Sequence, residues 1–512
     1  MNINNLYNFK NPIKHFCDID SIIFPEGIDS VSIKNLSWTE PINFRIKKNE
    51  EKYRTLKMPN VLNFVAAYEY FKDLPNFEYI QKIDKNHKRL SANVKTGDFK
   101  TGEFNIQLEI DFQRLCIYDV LVKVDIKEYY GRIYTHYIDL KGHNEQFLSN
   151  MNLGATNGLI MGNYLSLYLA EVNLSNISKD IENKISELNV NCKFSYFSDD
   201  FYFFCNKNDI ETIIKIFDEV LEKYDLERND AKKEIWTYET FNNYNIVQRN
   251  WKKLIANCNV KFNKDSNKNK LCFINQLIYR MSKLPDEKLK RIFINNFFKT
   301  KYFQELEMDK YSIKSYDYHQ LCFLFKYSPE SMLYSIDKFN QIDKFNENTM
   351  LYNFFNVRYE EALVNNFYDE QLYYYFAIKR LGFIDLLIKF QKLIINTKNQ
   401  ILISYYLKDN LFVEDDIMKL RLYEDERYWF QNYHMILYSD ELKKELEKNI
   451  KKYLIPKYAV KDIQKNFYMN FYKKNIQLNI PMIRDIEQVQ DGINEYLLLK
   501  IEENQSSFEE EN

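Results

Sequence analysis

Glycine is scarce in this chain: there are ten in 512 residues, eight of them before residue 163, and only Gly382 and Gly492 in the last 262. Tight turns and close backbone approaches are therefore expected early, and the later half is open to long helices. The seven cysteines are odd in number, scattered and without a Cys-x-x-Cys pair. That excludes a disulfide framework and a zinc site of ordinary spacing, and points to a reduced, cytoplasmic setting. No apolar run approaches the roughly 18 residues that a membrane span needs, so no membrane partner is expected, and MNINNLYNFK lacks the regions of a signal peptide. There is no GxxxxGK[ST] phosphate loop and no internal repeat of fixed length. A basic excess is missing too: residues 1–250 hold 31 Lys and Arg against 36 Asp and Glu, the remainder 40 against 37. A protein gripping a long duplex usually shows a basic track, and the first half has none. Tyrosine and phenylalanine are plentiful, at 41 and 39, but Asn, Lys and Ile are abundant alongside them, as an AT-rich coding sequence would produce.

What is present centres on KFSYFSDDFYFFC, Lys193 to Cys205. Bulky residues flank a short Ser-Asp-Asp turn, the pattern of a tight β-hairpin with Asp199 and Asp200 at its tip. Alone, such a pair also fits a solvated turn. A third carboxylate changes the balance: IYDVLVKVDIKEYY is an apolar strand running into Asp125, after which the pattern turns toward a helix. Adjacent acids repel, and hard divalent cations offset that repulsion while binding phosphate oxygens.

Together these stretches resemble the reverse transcriptases. VDIKEYY is similar to their motif A, FSDD to motif C with Phe197 in place of Tyr, GATNGLIMGNYLSLYLAEV (Gly154 to Val172) to motif B, and NDAKK (Asn229 to Lys233) to motif D. KMPN, YTH and GNYLS resemble in particular the bacterial abortive-infection (Abi-type) reverse transcriptases. The catalytic motifs cover about residues 54 to 235; the later half is similar in character only. The resemblance implies an α+β fold: a fingers and palm domain over 1–245, an all-α, helical-repeat-like domain over 246–500, and a disordered acidic tail over 501–512. It implies a bacterial, cytoplasmic nucleotidyltransferase of antiphage defence that adds deoxynucleotides without a template. The same resemblance implies synthesis primed from a protein hydroxyl, a single-stranded DNA product attached to that protein, and a homo-oligomer. Two Mg2+ or Mn2+ ions would be held by Asp125, Asp199, Asp200 and the Ile126 carbonyl, activating the attacking hydroxyl and stabilising the departing pyrophosphate.

Under the same resemblance Lys232 would donate a proton to the leaving pyrophosphate, and Tyr130, five residues past Asp125, would select against a 2′-hydroxyl. Arg54 and Lys57 would bind the triphosphate, unless they are plain surface charges. Asn157 and Gly158 stand where most reverse transcriptases have Gln and Gly, close to the templating pair, and the shorter Asn weakens the expectation of template copying. No tyrosine occurs between residues 8 and 52, so Tyr7, in a terminal segment expected to be mobile, is the first candidate primer, with Tyr53, Ser30 and Ser32 behind it. Two rival readings share these residues: a template-copying reverse transcriptase, and an inactive polymerase fold serving as a binding scaffold or toxin.

Periodicity adds helices after Asn60, over Asp209 to Leu226, Leu372 to Lys379 and Phe383 to Ile395, and helix starts at Leu284-Pro285-Asp286-Glu287 and Ser328-Pro329-Glu330. The two-glycine stretch Lys95 to Glu103 resembles a fingers hairpin. Arg427 and His434 have the spacing of a helical ribonuclease signature, a short motif that arises readily by coincidence.

Overall fold

A computed structural model describes residues 3–8, 12–48, 52–92, 101–249, 273–284, 286–308, 313 and 315–509. The architecture is mixed α and β, with two small antiparallel sheets and a helical C-terminal region. In chain order, α1 spans Ile3–Tyr7, β1 Ile42–Lys47, β2 Tyr53–Met58, α2 Val61–Phe71, α3 Thr101–Leu115, β3 Val120–Asp125, α4 Tyr164–Glu187, β4 Cys192–Phe197, β5 Asp200–Cys205, α5 Ile210–Glu222, β6 Glu234–Trp236 and α6 Tyr238–Arg249.

Asn60 caps α2 as its residue type predicts, its side chain accepting from the Leu62 N–H at 3.1 Å, and the helix buries Val61, Phe64, Val65, Tyr68 and Phe71. The second sheet has the order β4-β5-β3-β6. Strand alternation divides its side chains between two faces. Val120, Val122, Val124, Phe201 and Phe203 enter the main core, where the two phenylalanines meet Phe217 of α5 at 5.1 and 5.8 Å. On the other face, Leu121 and Phe204 pack with Leu108 and Phe112 of α3 and Phe241 of α6. That second cluster sits toward one end of the strands; Asp125 and Asp200 share its face at the other end.

From Phe273 onward every regular element among the described residues is helical, including α7 (Tyr368–Leu381), α8 (Trp429–Leu437), α9 (Leu446–Tyr453), α10 (Asp462–Gln477) and α11 (Ile486–Glu509). Gly382 closes α7 at φ 77°, and Asp286 caps the helix Glu287–Phe298, its carboxylate accepting from the Leu289 N–H. The helix α11 runs to Glu509, over most of the stretch expected as an acidic tail, and residues 510–512 lie outside the described residues. One expectation needs correction. Of Lys95 to Glu103, residues 95–100 lie outside the described residues, and Thr101 to Glu103 open α3 instead of closing a hairpin.

The change of character near residue 245 does not divide the packing. Phe16 carbonyl accepts from the Tyr405 hydroxyl at 3.0 Å, Cys17 pairs with Ile483 in an isolated antiparallel bridge, and Asn475 exchanges two 2.9 Å bonds with the Ile23 backbone. The β1–β2 hairpin lies on α7, where Asp369 accepts from the Lys47 N–H at 3.1 Å and Glu370 pairs with the Lys47 ammonium at 3.2 Å. One apolar core runs through both halves.

Candidate active site

Three carboxylates meet where β3 ends and the β4–β5 hairpin turns. Asp125 faces Asp200 directly in the β3–β5 register, and Phe197 pairs with Asp200, leaving Ser198 and Asp199 as a two-residue turn. Ser198 takes a left-handed φ of 55°, which costs a residue with a side chain about 1–2 kcal/mol. The Ile126 N–H donates to the Asp199 carbonyl at 3.0 Å and fixes the turn against the end of β3.

Asp125 is only 3% exposed, and both its oxygens are engaged: Oδ2 with the Lys232 ammonium at 2.6 Å, Oδ1 with the Asn229 amide at 2.9 Å. The Asn229 N–H also donates to the Asp125 carbonyl at 2.8 Å. Thus the motif D segment clamps the acid of motif A. Asp200 pairs with Lys123 at 3.2 Å, two residues before Asp125 on the same face of β3. Among the described residues Asp199 has no such cation at contact distance; burial first, and then the Asp125 charge, push its carboxyl above the usual range. Burial raises Asp200 as well, with Lys123 working in the opposite direction. Lys123 is held above the ordinary lysine value although burial acts against its charge, because Tyr202 and Asp200 face it.

The donor set suits a hard divalent cation: carboxylate oxygens only, two of which, on Asp199 and Asp200, belong to carboxyls held above their usual range, a shift that a positive charge would relieve. Among the described residues no three His, Cys, Asp or Glu side chains already converge on one point. Asp125 and Asp200 are turned to Lys232 and Lys123, so holding a metal requires these carboxylates to leave their ammonium partners.

Around this centre, the remaining predicted residues fall as follows. Tyr130 is partly buried, its ring edge-on to Tyr129 at 5.8 Å. Burial, then Glu171 and Asp199, hold its phenol well above the usual value, with Arg54 acting against them. Gly158 has φ 89°, donates to the Ile133 carbonyl at 2.9 Å, and would bring an added Cβ to 3.0 Å from the Gly131 carbonyl. With Leu159 N–H donating to the Tyr130 carbonyl at 2.8 Å, motif B is joined to the turn that carries Tyr130. Asn157 is exposed and bridges Tyr134. Arg54 and Lys57 are exposed on β2; the Lys57 ammonium donates to Asn152 at 3.3 Å and its backbone N–H to the Met161 carbonyl at 3.3 Å, so β2 also reaches motif B.

Two candidates are displaced from chemistry. Tyr7 is 1% exposed, edge-on to Phe64 at 5.2 Å, with its hydroxyl donating to the Pro59 carbonyl. Burial, then Cys17 and Tyr472, raise its phenol well above the ordinary value. The expectation of a mobile Tyr7 is therefore overturned: Leu6 and Tyr7 are anchored in the core. His434 is equally structural. Its Nδ1 lies 2.8 Å from the Phe430 carbonyl, its Nε2 accepts from the Met482 N–H at 3.1 Å, and burial lowers it to about 3. Arg427 pairs with Asp425 and Glu40, so the ribonuclease spacing has no site behind it. Sequence reading passed over Lys123 and gave Asn229 no role; the alternation of β3 could have placed the first on the Asp125 face.

No helix among the described residues is long and apolar enough to cross a membrane. No family model and no curated protein matches the sequence. Solved structures similar to this chain include a telomerase from Candida albicans in complex with the TWJ fragment of telomeric RNA, at 10% identity and TM-score 0.32, covering 68% of this chain. They also include an apo telomerase from Candida tropicalis, at 13% identity and TM-score 0.30, covering 73% of this chain and 68% of that one. The match spans 64% of the Candida albicans chain, less than two thirds of its length.

Proposed function

We propose that the chain is a nucleotidyltransferase of the reverse-transcriptase kind that adds deoxynucleotides without a template, starting from a hydroxyl of its own, in bacterial antiphage defence. The observation that carries the reading is the meeting of Asp125, Asp199 and Asp200 at one end of an antiparallel sheet, with the Lys232 ammonium 2.6 Å from Asp125. Three acids and a lysine from three separate sequence motifs are brought to that end of the sheet, which a solvated turn would not require.

Asp125, Asp199 and Asp200 would hold Mg2+ or Mn2+, which when bound lowers the pKa of an attacking hydroxyl and stabilises phosphoryl charge. In this reading Lys232, freed from Asp125, protonates the departing pyrophosphate. Tyr130 lies beside the sugar and crowds a 2′-hydroxyl. Arg54 and Lys57 draw the triphosphate to the exposed edge of β2. The homo-oligomer belongs to the same proposal. With Tyr7 anchored, the exposed hydroxyls of Tyr53, Ser30 and Ser32 are the N-terminal candidates for the primer. Tyr53 lies under the Arg45 guanidinium, 4.7 Å from its ring centre.

The test is incubation of the pure protein with each labelled deoxynucleoside triphosphate and Mg2+ or Mn2+, without nucleic acid. Label bound covalently to wild type and absent from Asp199→Ala supports the reading. Label that appears only with an added template, in a sequence that follows it, replaces this reading with template copying. Nucleotide-independent function in Asp199→Ala points to a scaffold.

A further inference from the structure

Two large aromatic rings stand exposed side by side where three distant parts of the chain meet. Trp38, from the N-terminal segment, is 47% exposed and Tyr458, from the α9–α10 connection, 44%; their ring centres are 5.6 Å apart with planes inclined at 57°. Trp38 rests on Gly154 of motif B, which has φ 77° and leaves no room for a side chain: a Cβ would stand 2.8 Å from the indole Cε2. Backbone bonds hold this seat, Thr39 N–H to the Asn150 carbonyl at 2.9 Å and Leu153 N–H to the Thr39 carbonyl at 3.1 Å. The rings are thus displayed on a fixed support. Through the short loop from Gly154 to Gly158 that support continues to the Tyr130 turn.

The segment that carries Tyr458 is predominantly basic. Residues 443–474 contain ten lysines against Glu445, Glu447 and Asp462, a net of +7 in a chain whose total is −2. This segment forms α9, the connection bearing Tyr458, and much of α10. At the ends of α9 and α10 away from Tyr458, a cleft of about 670 Å³ is lined by Lys443, Lys444, Lys448 and Lys473 together with Glu445 and Glu447. Lys457 lies 5.9 Å from the Tyr458 ring centre, and Lys461 is exposed just beyond it. The Lys448–Glu445 and Lys473–Glu447 pairs are solvent-exposed and are readily exchanged for phosphate contacts.

Exposed rings flanked by lysines are what a polynucleotide with unstacked bases recognises: rings take the bases and ammonium groups take the phosphates, whereas a duplex keeps its bases stacked inside. We propose that Trp38, Tyr458 and the lysine-rich α9–α10 segment form a binding site for single-stranded polynucleotide, separate from the carboxylate centre. Identifying the bound strand as the growing product rests on the proposed function; the binding itself does not.

The test uses the full chain carrying Asp199→Ala, so that no synthesis intrudes, and follows the anisotropy of a fluorescent oligothymidylate. Trp38→Ala with Tyr458→Ala should weaken binding about tenfold or more, as loss of base–aromatic stacking does. Trp38→Phe with Tyr458→Phe, which keeps two rings, should bind nearly as wild type. Lys457→Glu with Lys461→Glu should weaken binding and reduce its salt dependence. Undiminished affinity in the alanine pair overturns the site, as does equal competition by a duplex or by polyglutamate, which would show charge alone at work. Should template-free incorporation fail in wild type while these binding differences hold, the polymerase reading falls and the strand site stands.

Discussion

Replacing Tyr7 by Phe separates two views of the N-terminus. The phenol donates to the Pro59 carbonyl inside the core, and Tyr7 is 1% exposed, so Tyr7→Phe leaves that carbonyl without its buried donor and changes little else. A buried polar group that loses its partner costs about 1–3 kcal/mol. Tyr7→Ala removes the ring as well, including its edge contact with Phe64, and aromatic truncations in a core cost about 3–5 kcal/mol. A graded fall in thermal midpoint, modest for Phe and larger for Ala, is therefore expected. Covalent labelling by a deoxynucleoside triphosphate should persist in Tyr7→Phe at a temperature where it stays folded. Loss of label from Tyr7→Phe with an unchanged thermal midpoint would refute the reasoning, since it would mean that the phenol is free, spends its time outside the core and receives the first nucleotide.

Asp125→Asn should abolish incorporation while keeping the fold, and wild-type incorporation by that variant would remove Asp125 from the reaction. Tyr130→Ala should raise ribonucleotide use relative to deoxynucleotide use in paired incorporation assays; an unchanged ratio rules out the steric gate. Asp369 gives a pH prediction. Burial first, and then neighbouring Glu370, raise its carboxyl to about 7, above an unfolded value of about 3.9. The native state then binds more protons between these values, so this group's contribution to stability is present at about pH 4, declines as pH rises to about 7 and is flat above. Asp369→Asn keeps an oxygen for the Lys47 N–H and should gain thermal midpoint over wild type at about pH 8 but not at about pH 4. A difference that does not vary with pH would exclude this role for Asp369.

Local chemistry explains which parts of this architecture could be read in advance. Asn60 before α2 and the bulky strands around Ser198-Asp199 are short-range signals, and the structure places a cap and a two-residue turn there. The alignment of Asp125 with Asp200 followed from motif order, although the register itself depends on the pairing of β3 with β5. Tyr7 could not be read this way. A terminal position suggested mobility, and only the burial of Leu6 and Tyr7 against Phe64 and Pro59, more than fifty residues away, shows otherwise. The seam between halves was hidden for the same reason: the Phe16–Tyr405 and Ile23–Asn475 bonds join residues separated by 389 and 452 positions. The platform at Trp38 and Tyr458 is long-range too, which is why tyrosine abundance by itself pointed nowhere.

The two lysines of the carboxylate centre bear on how it stays folded before any cation arrives. Three acids on one sheet end carry three negative charges, and burial makes each costly. Lys232 answers Asp125 from the motif D segment and Lys123 answers Asp200 from within β3, which leaves Asp199, at the turn, as the acid with least compensation. The two cations differ in how easily they are displaced. Lys232 has 55% of its side chain exposed and can swing into solvent, whereas Lys123 has 23% and lies within 5.7 Å of the Tyr202 ring. If Asp125, Asp199 and Asp200 were to hold a divalent cation, as proposed, Lys232 would be the ammonium that gives way and would be free to act as the proposed proton donor, while Lys123, packed by Tyr202, would remain to offset Asp200.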